Sequence, residues 1–162
     1  MCFSKERKFW MEKFEQVFNI INGQAEKLEK QDMTYLDGVL ATLEDTLDGA
    51  FEWQVEGATK EDMRKAIQIA ILKGMRKNTQ PNHQMTPDTL GLLVSYFVEQ
   101  FYDKELANGT IAVADLALGT GNLLFTLMNA LEGKIDATGV EVDELLIRLA
   151  AATADLIEQP VS

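Results

Sequence analysis

The chain has 162 residues, 46% of them apolar and 25% charged, enough for one ordinary domain or one domain and part of a second. Its net charge of −11 and pI near 4.5 imply a surface that repels phosphate backbones, which argues against this chain gripping nucleic acid by itself. A single cysteine, Cys2, excludes an internal disulfide and a finger-type zinc site, and the single histidine, His83, has no G-x-S-x-G serine to serve.

At the N-terminus Lys5, Arg7 and Lys8 are basic, but no long apolar segment follows them, and no run reaches the roughly 18 residues of a membrane span. A cytoplasmic protein is expected. Met11 opens "MEKFEQVF", so it is a candidate for the natural start; alternatively the first ten residues simply begin the first helix. Phe14, Val17, Phe18, Ile21, Ala25 and Leu28 recur at i, i+3, i+4 and i+7, which predicts an amphipathic helix over about residues 5–30. Leu36, Val39, Leu40, Leu43 and Leu47 predict a second over about 33–48. Thr59 and Asp62 form a capping-box pattern, with Asp in place of Glu. Met63, Ala66, Ile67, Ala70, Ile71 and Met75 give a third helix ending near Lys77, with Lys73, Arg76 and Lys77 suited to its negative end.

Residues 78–84 read as a loop, in which His83 is a surface histidine. Trp10 and Trp53 are expected in a core or an interface. Thr86 and Pro87 suggest an N-cap and first helical residue. The helix they open runs to about Tyr102, with Leu90, Leu93, Val94, Phe97 and Phe101 expected inward. "DKELANGT" is expected as a connection. The period then changes. "IAVADLAL" is an apolar run of the kind that forms a strand covered on both faces. A glycine turn, a helix ending at Gly133, a strand in "DATGVEV" and a helix in "DELLIRLAAATADLIE" follow. That order predicts a βαβα unit with parallel strands. The fold class is therefore α/β: a helical N-terminal domain, residues 1–85, then residues 86–162 as the first part of a Rossmann-like domain that stops after two strands.

The turn "DLALGTGNLLF" carries the chemistry. No lysine follows at P-loop spacing, and the third small residue of a dinucleotide fingerprint is replaced by Leu124. Asp115 stands at the end of the first strand, where an acid suits a cationic amino group and repels a pyrophosphate. Glu141 lies 20 residues beyond Gly121, at the end of the second strand, where a carboxylate can accept a pair of ribose hydroxyls. Asp143 is expected to cap the next helix. Gly119, Thr120 and Gly121 with these acids favour S-adenosylmethionine (SAM) over a nicotinamide cofactor, which stays as the lesser alternative.

Three motifs in order carry a family resemblance. "DLALGTGNLL" resembles motif I of class I SAM-dependent methyltransferases, notably the D-P-A-C-G-T-G form of N6-adenine DNA methylases. "TGVEVD" is similar to their acidic motif, and "NHQMTPDTLGLLVSYFVEQF" to the T-P helix before motif I. The resemblance is to a stand-alone bacterial branch related to those adenine methylases. It implies that Asp115, Gly119, Thr120 and Gly121 line the methionine part of the cofactor. Glu141 would hold the ribose, and Thr86 and Pro87 would approach the methionine end. Leu116 and Leu118 depart from the Pro and Cys of the adenine-methylase pattern. The later [DN]-P-P-[YF]-like motif that holds the target amine in that family has no counterpart here; the only later proline is Pro160. The expectation is the cofactor-binding portion of such an enzyme, inactive alone, with an unknown methyl acceptor. A non-catalytic, possible homo-oligomer-forming remnant is the competing reading.

Overall fold

The computed structural model describes residues 12–53, 55–77 and 84–162. The expectations for Cys2, Trp10, Met11, His83 and most of the 78–84 loop lie outside the described residues. The chain divides into two units, Met1–Gln80 and Pro81–Ser162.

In the first unit the three apolar periodicities become three helices: α1 (Lys13–Glu29), α2 (Tyr35–Leu47) and α3 (Lys60–Lys77). Each packs on the other two. Val17, Ile21 and Ala25 of α1, Val39 and Leu43 of α2, and Ile67 and Ala70 of α3 are wholly buried between them. Gly38 lets α1 and α2 approach closely, since a Cβ there would lie 2.9 Å from the Ala25 carbonyl oxygen. The ends are set by local chemistry. The Asp37 N–H donates to Thr34 Oγ1 at 3.1 Å. The Thr59 N–H donates to Asp62 Oδ2 at 2.9 Å and the Asp62 N–H to Thr59 Oγ1 at 3.1 Å, completing the expected box with Asp.

The cations at the end of α3 do more than face its dipole. Lys73 reaches Glu26 at 2.6 Å and Lys77 reaches Glu29 at 2.7 Å, both on α1. Their ammonium groups lie 4.9 and 4.6 Å from the centre of the buried Tyr35 ring, whose hydroxyl donates to Asn22 Oδ1 at 2.8 Å. Burial, and then the charges of Glu26 and Glu29, push the Tyr35 hydroxyl well above its ordinary pKa.

The second unit contains α4 (Asp88–Phe101), α5 (Asp103–Asn108), β1 (Ile111–Asp115), α6 (Asn122–Ala130), β2 (Ile135–Gly139) and α7 (Glu144–Ile157). β1 and β2 pair in parallel, from Ile111 opposite Ile135 to Asp115 opposite Gly139, as the βαβα pattern requires. Three expectations are corrected. Residues 103–108, read as a connection, form a short helix. The strands are covered on one face rather than both: Ile135 and Ala137 are buried, while Ala112, Ala114, Asp136 and Thr138 are exposed. The alternation buried–exposed is the mark of a sheet packed on one side.

The sheet has two strands, as expected, and one isolated bridge adds the C-terminal residues to its edge. Val161 bridges Ala137 in parallel, the Ser162 N–H donates to the Ala137 carbonyl, and the Gly139 N–H donates to the Ser162 carbonyl, both at 2.9 Å. The tail thus lies along the edge of β2 away from β1. Finally, α4 turns a different face inward. Gly91 and Ser95 are buried, whereas Leu90, Leu93 and Phe97 are about half exposed and Phe101 is 76% exposed. The small residues win the contact because α6 comes close: a Cβ on Gly91 would sit 2.8 Å from Thr126. A leucine or phenylalanine on that face would hold the two helices apart.

Candidate functional site

The two strands end side by side, and their following loops are tied together. The Val140 N–H donates to the Asp115 carbonyl at 2.8 Å, and the Leu118 N–H donates to the Val140 carbonyl at 3.0 Å. Leu118 is buried and lies over Gly139, where a Cβ would approach its methyl to 2.6 Å. Leu118 therefore has a packing role in joining the two loops. Leu116, by contrast, is 78% exposed.

The turn itself needs its glycines for different reasons. Gly121 has φ +80° and caps α6 in the left-handed region, and a Cβ there would meet the buried Phe125 ring at 2.6 Å. Gly119 has φ +58°, but a Cβ there would meet nothing within 4 Å. It borders open space at the carboxyl ends of the strands, which is where open α/β sheets take ligands. Gly119 without a side chain thus leaves room for a ligand to approach the backbone. Thr120 between them is buried.

Glu141 reaches over this turn. Its Oε2 accepts from the Gly119 N–H at 2.8 Å, while Oε1 accepts from the N–H groups of Val142 at 2.7 Å and Asp143 at 2.9 Å. These donors, Asp143 first, hold the Glu141 carboxyl below its ordinary range against the opposing effect of burial. A carboxylate offers about four acceptor positions. Three are taken, so accepting two ribose hydroxyls together requires release of one N–H. Asp143 caps α7 as expected, accepting from the N–H groups of Leu145 at 3.0 Å and Leu146 at 3.1 Å. Asp115 turns its side chain back to accept from the Ala117 N–H at 3.0 Å, so its carboxylate stays beside the turn.

The T-P segment arrives from the other side. Pro87, with ψ 146°, is the N-cap of α4, and Asp88 is its first helical residue; the expected cap at Thr86 is shifted by one. The Thr86 carbonyl is used instead, accepting from Asn122 Nδ2 at 2.7 Å, and Asp88 Oδ1 accepts from the same amide at 2.9 Å. Asn122 is the first residue of α6, directly after Gly121. It was missed in the sequence, where it is a lone polar side chain between Gly121 and an apolar run. Through it the N-termini of α4 and α6 meet beside the turn. Neither has a side-chain cap, whereas α2, α3 and α7 do. Helix N-termini carry partial positive charge and unpaired N–H groups.

Hydrogen bonds thus tie the T-P segment to Asn122, which directly follows the glycine turn, and tie Gly119 of that turn to Glu141. Among the described residues no cluster of three or more metal-ligating side chains occurs, and no helix is long and apolar enough to cross a membrane.

Comparison with known proteins bears on this geometry. No family model matches the chain. The chain is 48% identical over 101 residues to YtxK, an uncharacterized protein of Bacillus subtilis, covering 61% of this chain and 30% of that one. Its fold matches the 2.20 Å crystal structure of lmo1582 from Listeria monocytogenes with a TM-score of 0.80 and 35% identity. That match covers 92% of this chain and 51% of lmo1582, which is itself proposed to be a class I S-adenosylmethionine-dependent methyltransferase. In sequence and in fold the chain is thus similar to a protein assigned to the class I SAM-dependent methyltransferases, of which it spans about half the length.

Proposed function

We propose that this chain forms the cofactor-binding portion of a SAM-dependent methyltransferase. The observation that carries the reading is the bond between Glu141 and the Gly119 N–H, which joins the acid after β2 to the glycine turn after β1. Glu141 would hold the ribose, exchanging one N–H for a hydroxyl. Asp115 would face the amino group, and the N-termini of α4 and α6 the carboxylate. Bound there, SAM supplies an electrophilic methyl group on a sulfonium. The chain's own contribution is to fix the cofactor's two ends and leave the rest of the crevice open to an acceptor, so catalysis would rest on positioning.

The motif resemblance makes a nucleobase amine, as in N6-adenine methylases, the acceptor class we favour. Leu116 and Leu118 depart from that pattern, and the net charge of −11 means that the basic groups gripping a nucleic acid would lie elsewhere. No [DN]-P-P-[YF]-like motif occurs in these 162 residues, so we expect the chain alone to bind cofactor without transferring methyl.

Calorimetry of the purified chain with SAM, S-adenosylhomocysteine and NAD tests this. Binding of the first two but not NAD is expected, weakened by roughly 1–3 kcal/mol in Glu141→Ala. Binding of NAD alone, or no change in Glu141→Ala, overturns the assignment. A second reading, self-association through the second unit, is favoured by the exposed Leu90, Leu93, Phe97 and Phe101 on α4. Light scattering showing a monodisperse monomer at high concentration removes it.

A further inference from the structure

We propose that Asn122 is a positioning residue of the cofactor site: its amide clamps the Thr86–Pro87 segment to the glycine turn, so that α4 and α6 present their N-termini to one carboxylate. The inference rests on the SAM reading above and adds to it a residue that does not touch the reacting atoms. Asn122 is 6% exposed, and both N–H groups of its amide are used, one on the Thr86 carbonyl and one on Asp88 Oδ1. These partners lie 36 and 34 residues earlier in the chain. Both are acceptors, so the position needs two donors from one short side chain. Only an amide of this length supplies them; aspartate would set a third acceptor against two, and serine has one donor.

The clamp differs from the packing that seats α4. That seat is made further along, where Gly91 and Ser95 lie buried and Gly91 approaches Thr126. Thr126 Oγ1 in turn donates to the Asn122 carbonyl at 2.8 Å, within α6. Loss of the amide therefore leaves α4 seated and releases only the segment before it. The clamp thus keeps the N-termini of α4 and α6 together.

The test uses the whole chain and two ligands that differ only at the methionine end: S-adenosylhomocysteine, which has the amino-acid group, and 5′-methylthioadenosine, which lacks it. In Asn122→Asp the aligned segment becomes a minor population, and apparent affinity falls by the fraction that stays aligned. We expect S-adenosylhomocysteine to bind about tenfold more weakly and 5′-methylthioadenosine to bind unchanged. The exchanged pair Asn122→Asp with Asp88→Asn restores one donor–acceptor contact and should recover part of the loss. Backbone order at residues 84–88, read by amide NMR relaxation, should fall, while that of α6 stays unchanged. Equal losses for both ligands, or none for either, overturn the clamp. If the unaltered chain binds neither ligand, the SAM reading itself fails, and the relaxation at 84–88 still judges the contact: unchanged order there in Asn122→Asp overturns the clamp as well.

Discussion

α1 and α4 carry the same kind of apolar stripe and meet different fates. On α1, Val17, Ile21 and Ala25 are buried to within 1%, because α2 and α3 close over them. On α4, Leu90, Leu93 and Phe97 are about half exposed, and the face that packs is the small one at Gly91 and Ser95. Among the described residues, the stripe of α1 is closed within its unit, while the second unit leaves the stripe of α4 and one face of its sheet exposed. Contiguous exposed apolar surface on a soluble protein marks a place of interaction. The contrast teaches that a helix's apolar stripe is covered only where its neighbours have the shape to close over it.

The sharpest way to break that contrast is to compare core deletions. Leu43→Ala in the first unit should cost about 2–5 kcal/mol, because its neighbours cannot collapse into the void. Both tryptophans, Trp10 and Trp53, belong by number to the first unit, so urea unfolding followed by tryptophan fluorescence reads it selectively. Little change in midpoint would mean that this core is loose after all.

Next in size is Gly121→Ala. A left-handed φ costs a residue with a Cβ about 1–2 kcal/mol, and the buried Phe125 ring cannot swing aside, so about 2–3 kcal/mol in all is expected. Gly133, also at positive φ but with open space around it, should cost only about 1 kcal/mol on the same change. Equal losses, measured by hydrogen exchange across α6 and β2, would show that the Phe125 contact does not matter.

The pH limbs separate the units by chemistry. The folded pKa of Tyr35 lies above its ordinary value of 10.0, so its contribution is complete below that pH and is lost as pH rises beyond it. Tyr35→Phe should flatten the alkaline loss of stability in the first unit, seen in thermal melts at rising pH. The folded pKa of Glu141 lies below its ordinary 4.5, so its contribution is present above that pH and is lost as pH falls below it. Glu141→Gln should flatten the acid limb in the second unit while leaving the first unit unchanged. A shared response of both units to either substitution would mean that they do not titrate separately.

The smallest effect is expected on α4. Phe97→Ser should change stability by no more than about 0.5 kcal/mol. Concentration-dependent light scattering should fall, if that face is where copies meet. A large loss of stability would mean that the exposed stripe is covered within the chain, and the contrast between the units would vanish.

Short-range signals made most of the fold and part of the site legible. Helical periodicity located the main helices, the change to a short apolar run located the strands, and Thr59 with Asp62 marked the cap that directly precedes α3. The glycine turn and Glu141 could be placed at strand ends for the same reason: their positions follow from local chain geometry and a parallel βαβ step. Four features were decided only by the folded arrangement. These are the face α4 buries, the pairing of Val161 with Ala137, the Glu141 bond to Gly119 22 residues away, and the Asn122 bonds to Thr86 and Asp88. Periodicity shows that a helix has two faces, yet which one is covered depends on the neighbour's shape, here Thr126 against Gly91. Likewise an asparagine after a glycine has no visible partner in the chain order. Its donors acquire meaning only when the sheet brings a segment more than 30 residues earlier to within hydrogen-bond distance.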